Sequence, residues 1–172
     1  MRSGMTHRVG IGYDSHRFAA GGPIRLGGVD IPADVHCVAH SDGDAVCHAV
    51  TDAILGAAGM GDIGEMFPDT DPDNSGRDSI AMLEAARHRL HVAGWSICNV
   101  DITVVTERPK IGPHRAAMRA RLAAALTVPE DAVSVKGKTN EGLGWIGREE
   151  GLGVMAVASL VRDAVASLVR DE

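Results

Sequence analysis

The chain has 172 residues, a net charge of −6 and 45% hydrophobic but only 3% aromatic residues, which suits one domain with an aliphatic core. The acidic balance argues against a nucleic-acid binder, which needs a basic face, and no apolar run reaches membrane-spanning length. Cys37, Cys47 and Cys98 are odd in number and lack CxxC spacing, so no disulfide framework is expected; the short polar N-terminus holds no signal-peptide core, and a cytoplasmic protein follows.

Residues 1–7 read as an N-terminal extension. Residues 8–18 alternate like a strand, which sets Asp14 and His16 on one face of it. Gly21-Gly22-Pro23 turns the chain. Residues 24–26 and 29–31 read as a hairpin about Gly27-Gly28, and 36–39 as another short strand. A helix is predicted from about residue 42 to 59 or 60. His40, Ser41, Asp42 and Asp44 crowd its entrance. Asp44, His48 and Asp52 follow at steps of four and share one face. Val46, Val50, Ala53, Ile54 and Ala57 make the opposite, aliphatic face. Cys47 points away from His48 and reads as core.

Residues 61–76 are dense in Gly, Pro, Asp and Asn, so they read as a loop with a helical turn near 63–67. A long loop inside a compact domain is more often functional than accidental. Asp78 or Ser79 caps a second helix to about 92 or 93, with Ile80, Leu83, Ala86 and Leu90 inward. Residues 95–106 are a strand rich in β-branched side chains, 107–113 a loop, and 113 or 114 to 126 a third helix. A strand at 133–137 precedes a Gly-rich loop at 138–151. Residues 152–161 are strand or helix by pattern. The order gives an α/β (α+β) fold, a mixed β-sheet with packed helices, in a single domain over residues 1–172. A tail, 164–172, begins with an eight-residue copy of 156–163. The first copy is expected to hold the strand register, anchored by the residues before it, and the second to form an extension.

Asp14, His16 and His48 offer a His2Asp set with an open fourth position, which fits catalytic zinc or a related divalent metal. The competing reading is a strand Asp and His at a sheet edge and a helix His satisfied by Asp44 or Asp52, on a solvated polar face whose Asp and Ser only cap.

Gly12-Tyr-Asp-Ser-His16, Ala39-His-Ser-Asp-Gly-Asp44 with His48 and Thr51-Asp52, Gly61-Asp-Ile-Gly64, Phe67-Pro-Asp-Thr-Asp71, Arg108-Pro-Lys110 and Gly144-Trp-Ile-Gly-Arg148 occur in that order. Together they closely resemble the 2-C-methyl-D-erythritol 2,4-cyclodiphosphate synthase family of the non-mevalonate isoprenoid pathway. The resemblance spans residues 8 to about 162.

It implies a phosphorus–oxygen lyase that cyclises 4-diphosphocytidyl-2-C-methyl-D-erythritol 2-phosphate and releases CMP. It implies zinc at Asp14, His16 and His48, and a magnesium or manganese ion at Glu141. His40 and Thr139 match residues credited with transition-state stabilisation. Substrate contacts are implied at Asp14, Ser15, His16, His40 and Ser41. Asp62, Ile63 and Gly64, with Phe67, Pro68, Asp69, Thr70 and Asp71, match the methylerythritol site. Thr106, Glu107, Arg108, Pro109, Lys110, Ile111 and Gly112 match the cytosine pocket. Lys138, Thr139, Asn140 and Glu141 stand where relatives often carry a threonine run, which leaves the roles of Lys138 and Asn140 open. The family forms homotrimers, with helices on one face of each sheet and the sheets around a central threefold cavity. Active sites lie between subunits. Trp145 and Arg148 match residues lining that cavity, where isoprenoid diphosphates lodge. Some relatives pair that arginine with a glutamate; the matching position is Met155. A metal-dependent phosphohydrolase, or a binding module that only stores metal, are the rival readings.

Overall fold

Glycine decides where the first strand meets the first helix. The computed structural model describes residues 5–68, 70–74 and 76–163. Asp69 and the tail copy at 164–172 lie outside them. Strand β1 (Met5–Ala20) turns Gly10 and Gly12 toward helix α1 (Ala45–Ala58). A Cβ on Gly12 would stand 1.9 Å from the Ala49 carbonyl oxygen, and one on Gly10 2.2 Å from that of Ala53. Backbone therefore packs on backbone, and only glycine permits that approach. The next residues of the same parity on β1 are Asp14 and His16, so they emerge on the helix side.

A short hairpin follows, β2 (Ile24–Leu26) with β3 (Val29–Ile31), and then β4 (Val35–Cys37). Helix α2 (Ile63–Met66) and a single 3-10 turn at Pro72–Asn74 punctuate the loop after α1. Helix α3 (Ser79–Val92) leads into β5 (Ser96–Val105), and α4 (Arg115–Leu126) into β6 (Val133–Lys138). Helix α5 (Gly144–Gly147) precedes β7 (Gly151–Asp163). The main sheet runs β4-β1-β7-β5-β6. Among the described residues only β5 and β6 pair in parallel; the other neighbours are antiparallel, so the sheet is mixed as expected.

Most boundaries fall within a few residues of those predicted. Met5, Thr6 and His7, expected as an extension, instead pair with Asp163, Arg162 and Val161, because β7 runs far enough to supply partners. Helix α1 starts three residues later than predicted, since Asp44 is its N-cap. It ends at a left-handed Gly59, φ 70°. Residues 152–161 are strand: they lie between β1 and β5 and complete both ladders.

Helices α1, α3 and α4 cover one face of the sheet. Helix α1 is buried on nearly every side; its cleft-facing exceptions are His48 and Asp52, both half-buried. Ile54, Leu55, Leu83, Ile102, Leu122, Leu152 and Leu160 are fully buried in the layer between, each contributing about 1.5–3 kcal/mol of transfer free energy. Cys47 belongs to this layer as expected, and burial pushes the Cys37 thiol up to about 12.

The opposite face is apolar and uncovered. Val9, Ile11 and Tyr13 of β1 are 70%, 69% and 57% exposed, and Met155 and Val157 of β7 lie beside them. Short α5 is the exception to the one-sided helix layer. Its Ile146 reaches over Gly153, where a Cβ would also meet Tyr13.

Candidate active site

Strand β1 and helix α1 deliver three donor atoms to one point. The Asp14 Oδ2 lies 3.0 Å from His16 Nε2 and 3.0 Å from His48 Nδ1. The two nitrogens are 3.4 Å apart, and the rings meet edge to face at 73°. Among the described residues this is the only group of three or more His, Cys, Asp or Glu side chains close enough to hold one metal ion. Burial alone would raise the Asp14 carboxyl, but hydrogen bonds and charge from His16 and His48 hold it well below the usual carboxylate range. Burial opposes charge on His48, and Asp14 with the charges of Asp44 and Asp42 more than offsets it, so His48 is raised. Two imidazole nitrogens and a carboxylate oxygen, converging on one point and strongly favouring positive charge there, fit a divalent metal with an open coordination position.

The far side of His48 is also engaged. Its Nε2 sits 3.0 Å from Ser41 Oγ and 2.9 Å from Ser79 Oγ. The Asp14 Oδ1 accepts the Ser15 N–H at 2.8 Å.

Asp44 does not share the cleft face with His48. Its carboxylate turns back and accepts the N–H groups of Val46 and Cys47, and those of Gly27 and Gly28 from the β2–β3 hairpin. A carboxylate at an N-cap is drawn to the unpaired amides of the first turn. Asp52 keeps its place on the cleft face. It accepts the Ile63 N–H at 2.8 Å and so fastens α2 to α1 one turn beyond His48. Burial raises its carboxyl, and the charges of Asp62 and Asp14 add to that against the Ile63 hydrogen bond.

Of the residues read from sequence, His16, His40, Ser41, His48, Ile63, Gly64 and Phe67 line one cleft of about 330 Å³. Asp62 caps α2 at its edge and accepts the Glu65 N–H. Pro68, Thr70 and Asp71 lie exposed on the loop beyond. Sequence reasoning missed Asn74 and Met82 in this cleft. Asn74 is buried, donates to the Pro68 carbonyl and accepts from Arg77, which stacks on Phe67. A lone Asn among loop residues carries no signal of that.

The remaining predicted residues gather elsewhere. Thr106, Pro109, Lys110, Ile111, Gly112, Lys138 and Thr139 line a second cleft of about 320 Å³. Glu107 turns away from it to accept the N–H groups of Asn140 and Gly142. Arg108 pairs with Asp34 and Glu149, and the Thr106 hydroxyl donates to the Arg108 carbonyl. Asn140 spends its amide on the Leu143 carbonyl, closing its own turn. Thr139 donates to Glu141 at 2.7 Å, and Glu141 is exposed and apart from the triad. Trp145 is exposed. Arg148, lacking a glutamate at Met155, pairs with Glu150 at 2.7 Å instead.

The sequence and the fold are similar to those of known proteins. A 2-C-methyl-D-erythritol 2,4-cyclodiphosphate synthase of Gemmatimonas aurantiaca is 74% identical over 154 residues, covering 90% of this chain and 93% of the relative. The solved bifunctional IspDF of Campylobacter jejuni superposes with a TM-score of 0.90 at 39% identity; 94% of this chain is covered, but only 44% of that one. A CDP complex of IspF from Plasmodium falciparum superposes with a TM-score of 0.81 at 36% identity, covering 95% of this chain and 99% of that one. Residues 7–161 match the model of the YgbB family, and with such relatives the chain belongs to that family, the 2-C-methyl-D-erythritol 2,4-cyclodiphosphate synthases.

Proposed function

We infer that the chain carries out the reaction for which its relatives are named, as a lyase of isoprenoid biosynthesis. The substrate is 4-diphosphocytidyl-2-C-methyl-D-erythritol 2-phosphate. An oxygen of its 2-phosphate bonds to the β-phosphorus, the bond from that phosphorus to the α–β bridging oxygen breaks, and CMP leaves with that oxygen. The product is 2-C-methyl-D-erythritol 2,4-cyclodiphosphate. No protein nucleophile is required, so positioning and electrostatics carry the catalysis. The observation that carries this reading is the Asp14–His16–His48 convergence beside the cleft that holds His40, Ser41 and the Ile63–Gly64 turn.

Asp14, His16 and His48 hold zinc, and Glu141 takes a magnesium or manganese ion; bound there, the ions supply positive charge for the diphosphate oxygens. Ser15, His40 and Ser41 orient the reacting phosphate end. Asp62 accepts hydrogen bonds from the tetritol hydroxyls, and the loop from Phe67 through Pro68, Asp69, Thr70 and Asp71 encloses it. Residues 106–112 read the cytosine largely through backbone groups. Thr139 steadies the developing charge, with Lys138, Asn140 and Glu141 beside it. Residues 1–172 are one catalytic domain.

The two clefts come from different parts of the chain, and the outer sheet face is apolar and bare. Both observations support a homotrimer whose sheets enclose a threefold cavity. Each active site then joins the first cleft of one subunit to the second cleft of its neighbour. Trp145 and Arg148 border the cavity, and an isoprenoid diphosphate is the ligand proposed for it. Among the described residues no helix is long and apolar enough to cross a membrane; the cytoplasm is the proposed location.

Phosphorus NMR with the 2-phosphate substrate, zinc and magnesium tests the reading. Wild type yields cyclodiphosphate and CMP; an opened monoester would instead mean a phosphohydrolase. His48→Ala and Thr139→Ala are each expected to be inactive. Dissociated and reassembled together, they regain part of the activity only if one site draws on two chains.

A further inference from the structure

We infer that Ser79, held by Asp42, is a positioning residue for the metal centre. It fixes the ring proton of His48 on Nε2 and leaves Nδ1 bare toward Asp14 and His16. The inference rests on the metal-binding reading of that triad.

The argument is a count of protons. Asp42 receives the Ser79 N–H at 3.0 Å and the Asp44 N–H at 3.2 Å, and Arg25 Nε lies 3.2 Å from its Oδ2. Each of these neighbours can only donate, so the carboxylate acts as an acceptor throughout. The Ser79 hydroxyl makes a short contact with the same carboxylate. A hydroxyl has one proton, and that proton is committed to Asp42. Toward His48 Nε2, 2.9 Å away, Ser79 Oγ has only lone pairs to offer. The contact with Ser79 is a hydrogen bond only when the nitrogen carries the hydrogen. Ser41 Oγ, 3.0 Å from the same nitrogen, can accept that hydrogen as well.

With one proton fixed on Nε2, a charged His48 donates its second from Nδ1 to the Asp14 carboxylate 3.0 Å away, and a neutral His48 turns a lone pair there instead. Two facing acceptors call for a cation between them. Ligating histidines usually hand their other ring N–H to a carboxylate or carbonyl, which fixes the tautomer and raises ligand basicity. Here a hydroxyl stands between ring and carboxylate. The relay also ties the metal centre to a second helix. Ser79 is the first residue of α3 and fully buried, and its own N–H is capped by the same Asp42.

Ser79→Ala is the clean probe, because it keeps the capped N–H and removes only the hydroxyl. Zinc affinity, read by chelator competition, is expected to fall about 10–100-fold. The visible absorption of the cobalt-loaded variant is expected to change, as the His48 ring loses its fixed orientation. Asp42→Asn keeps an acceptor without the charge and is expected to lose less. Long-range proton–nitrogen NMR on the zinc-loaded wild type reads the tautomer directly, whatever the folding of the variants. A protonated Nε2 with metal-bound Nδ1 supports the relay, and metal bound through Nε2 overturns it. Wild-type zinc affinity and an unchanged cobalt spectrum in Ser79→Ala also overturn it. Wild type that binds no zinc overturns the metal reading itself, and the relay with it.

Discussion

The two clefts are built in opposite ways. The first draws its donors from a central strand and a nearly enclosed helix. Its side chains are part-buried and wired to one another: Asp14 to both histidines, His48 to Ser41 and Ser79, Asp52 to α2. The second is made of loop and strand end, and much of its geometry is held through the main chain, with Glu107 gripping two amides and Thr106 one carbonyl. On the proposed function the difference follows from the task. A metal needs several ligands within tight angular limits, which rigid elements supply. A base can be read by main-chain groups on a loop whose conformation is pinned from behind.

If the first cleft depends on close approach of α1 to β1, adding one methyl beneath it should break it. Gly12→Ala places a Cβ 1.9 Å from the Ala49 carbonyl oxygen, where backbone must give way. Overpacking of this kind costs about 1–3 kcal/mol. The displacement falls two residues before Asp14 and beside the turn of α1 that carries His48. Urea denaturation is expected to show the lost stability, and zinc titration of the folded fraction a weakened site. Wild-type zinc affinity would mean that the helix–strand spacing does not set the triad.

The second cleft should fail differently. Glu107→Ala removes the acceptor that holds the Asn140 and Gly142 amides, on either side of Glu141 and next to Thr139. Misplacement of a catalytic group by about 1 Å can cost up to about 100-fold in rate, so steady-state turnover should fall while zinc affinity stays at the wild-type value. A drop in zinc affinity would mean that the two clefts are coupled within the chain.

Much of this was legible in the sequence, for reasons that differ by residue. Strand parity alone put Asp14 and His16 on one face, and helical spacing gave His48 and Asp52 the same face. The cap residue and apolar stripe of α3 were readable because both are local. What was hidden depends on depth or distance. On β1 the apolar residues Val9, Ile11 and Tyr13 face outward while glycines face the helix, the reverse of what hydrophobicity alone would assign. Asp44 sits at a helical step from His48, yet its position at the cap turns it inward. Ser79 and Asp42 stand 37 residues apart, and no periodicity links them. The division between two clefts was implied only by the resemblance, because loops carry no register.

The smallest effect concerns the duplicated tail. Each copy reads Ala-Val-Ala-Ser-Leu-Val-Arg-Asp, and a shift by eight keeps the same residues inward. Hydrophobic pattern therefore cannot choose between them, but the residues ahead of the first copy can. Gly151 of β7 lies so close to β1 that a Cβ would stand 2.3 Å from the His16 carbonyl oxygen. Sliding the second copy into the place of the first would put Ser159 there and Val161 at the position of Gly153, over which Ile146 packs. The glycines thus lock the register that pairs Tyr13 with Met155 and Asp14 with Val154. Deleting residues 164–172 is expected to leave both the melting temperature and turnover near wild type. A large loss in either would mean that the second copy supports the sheet or the site in a way the register does not require.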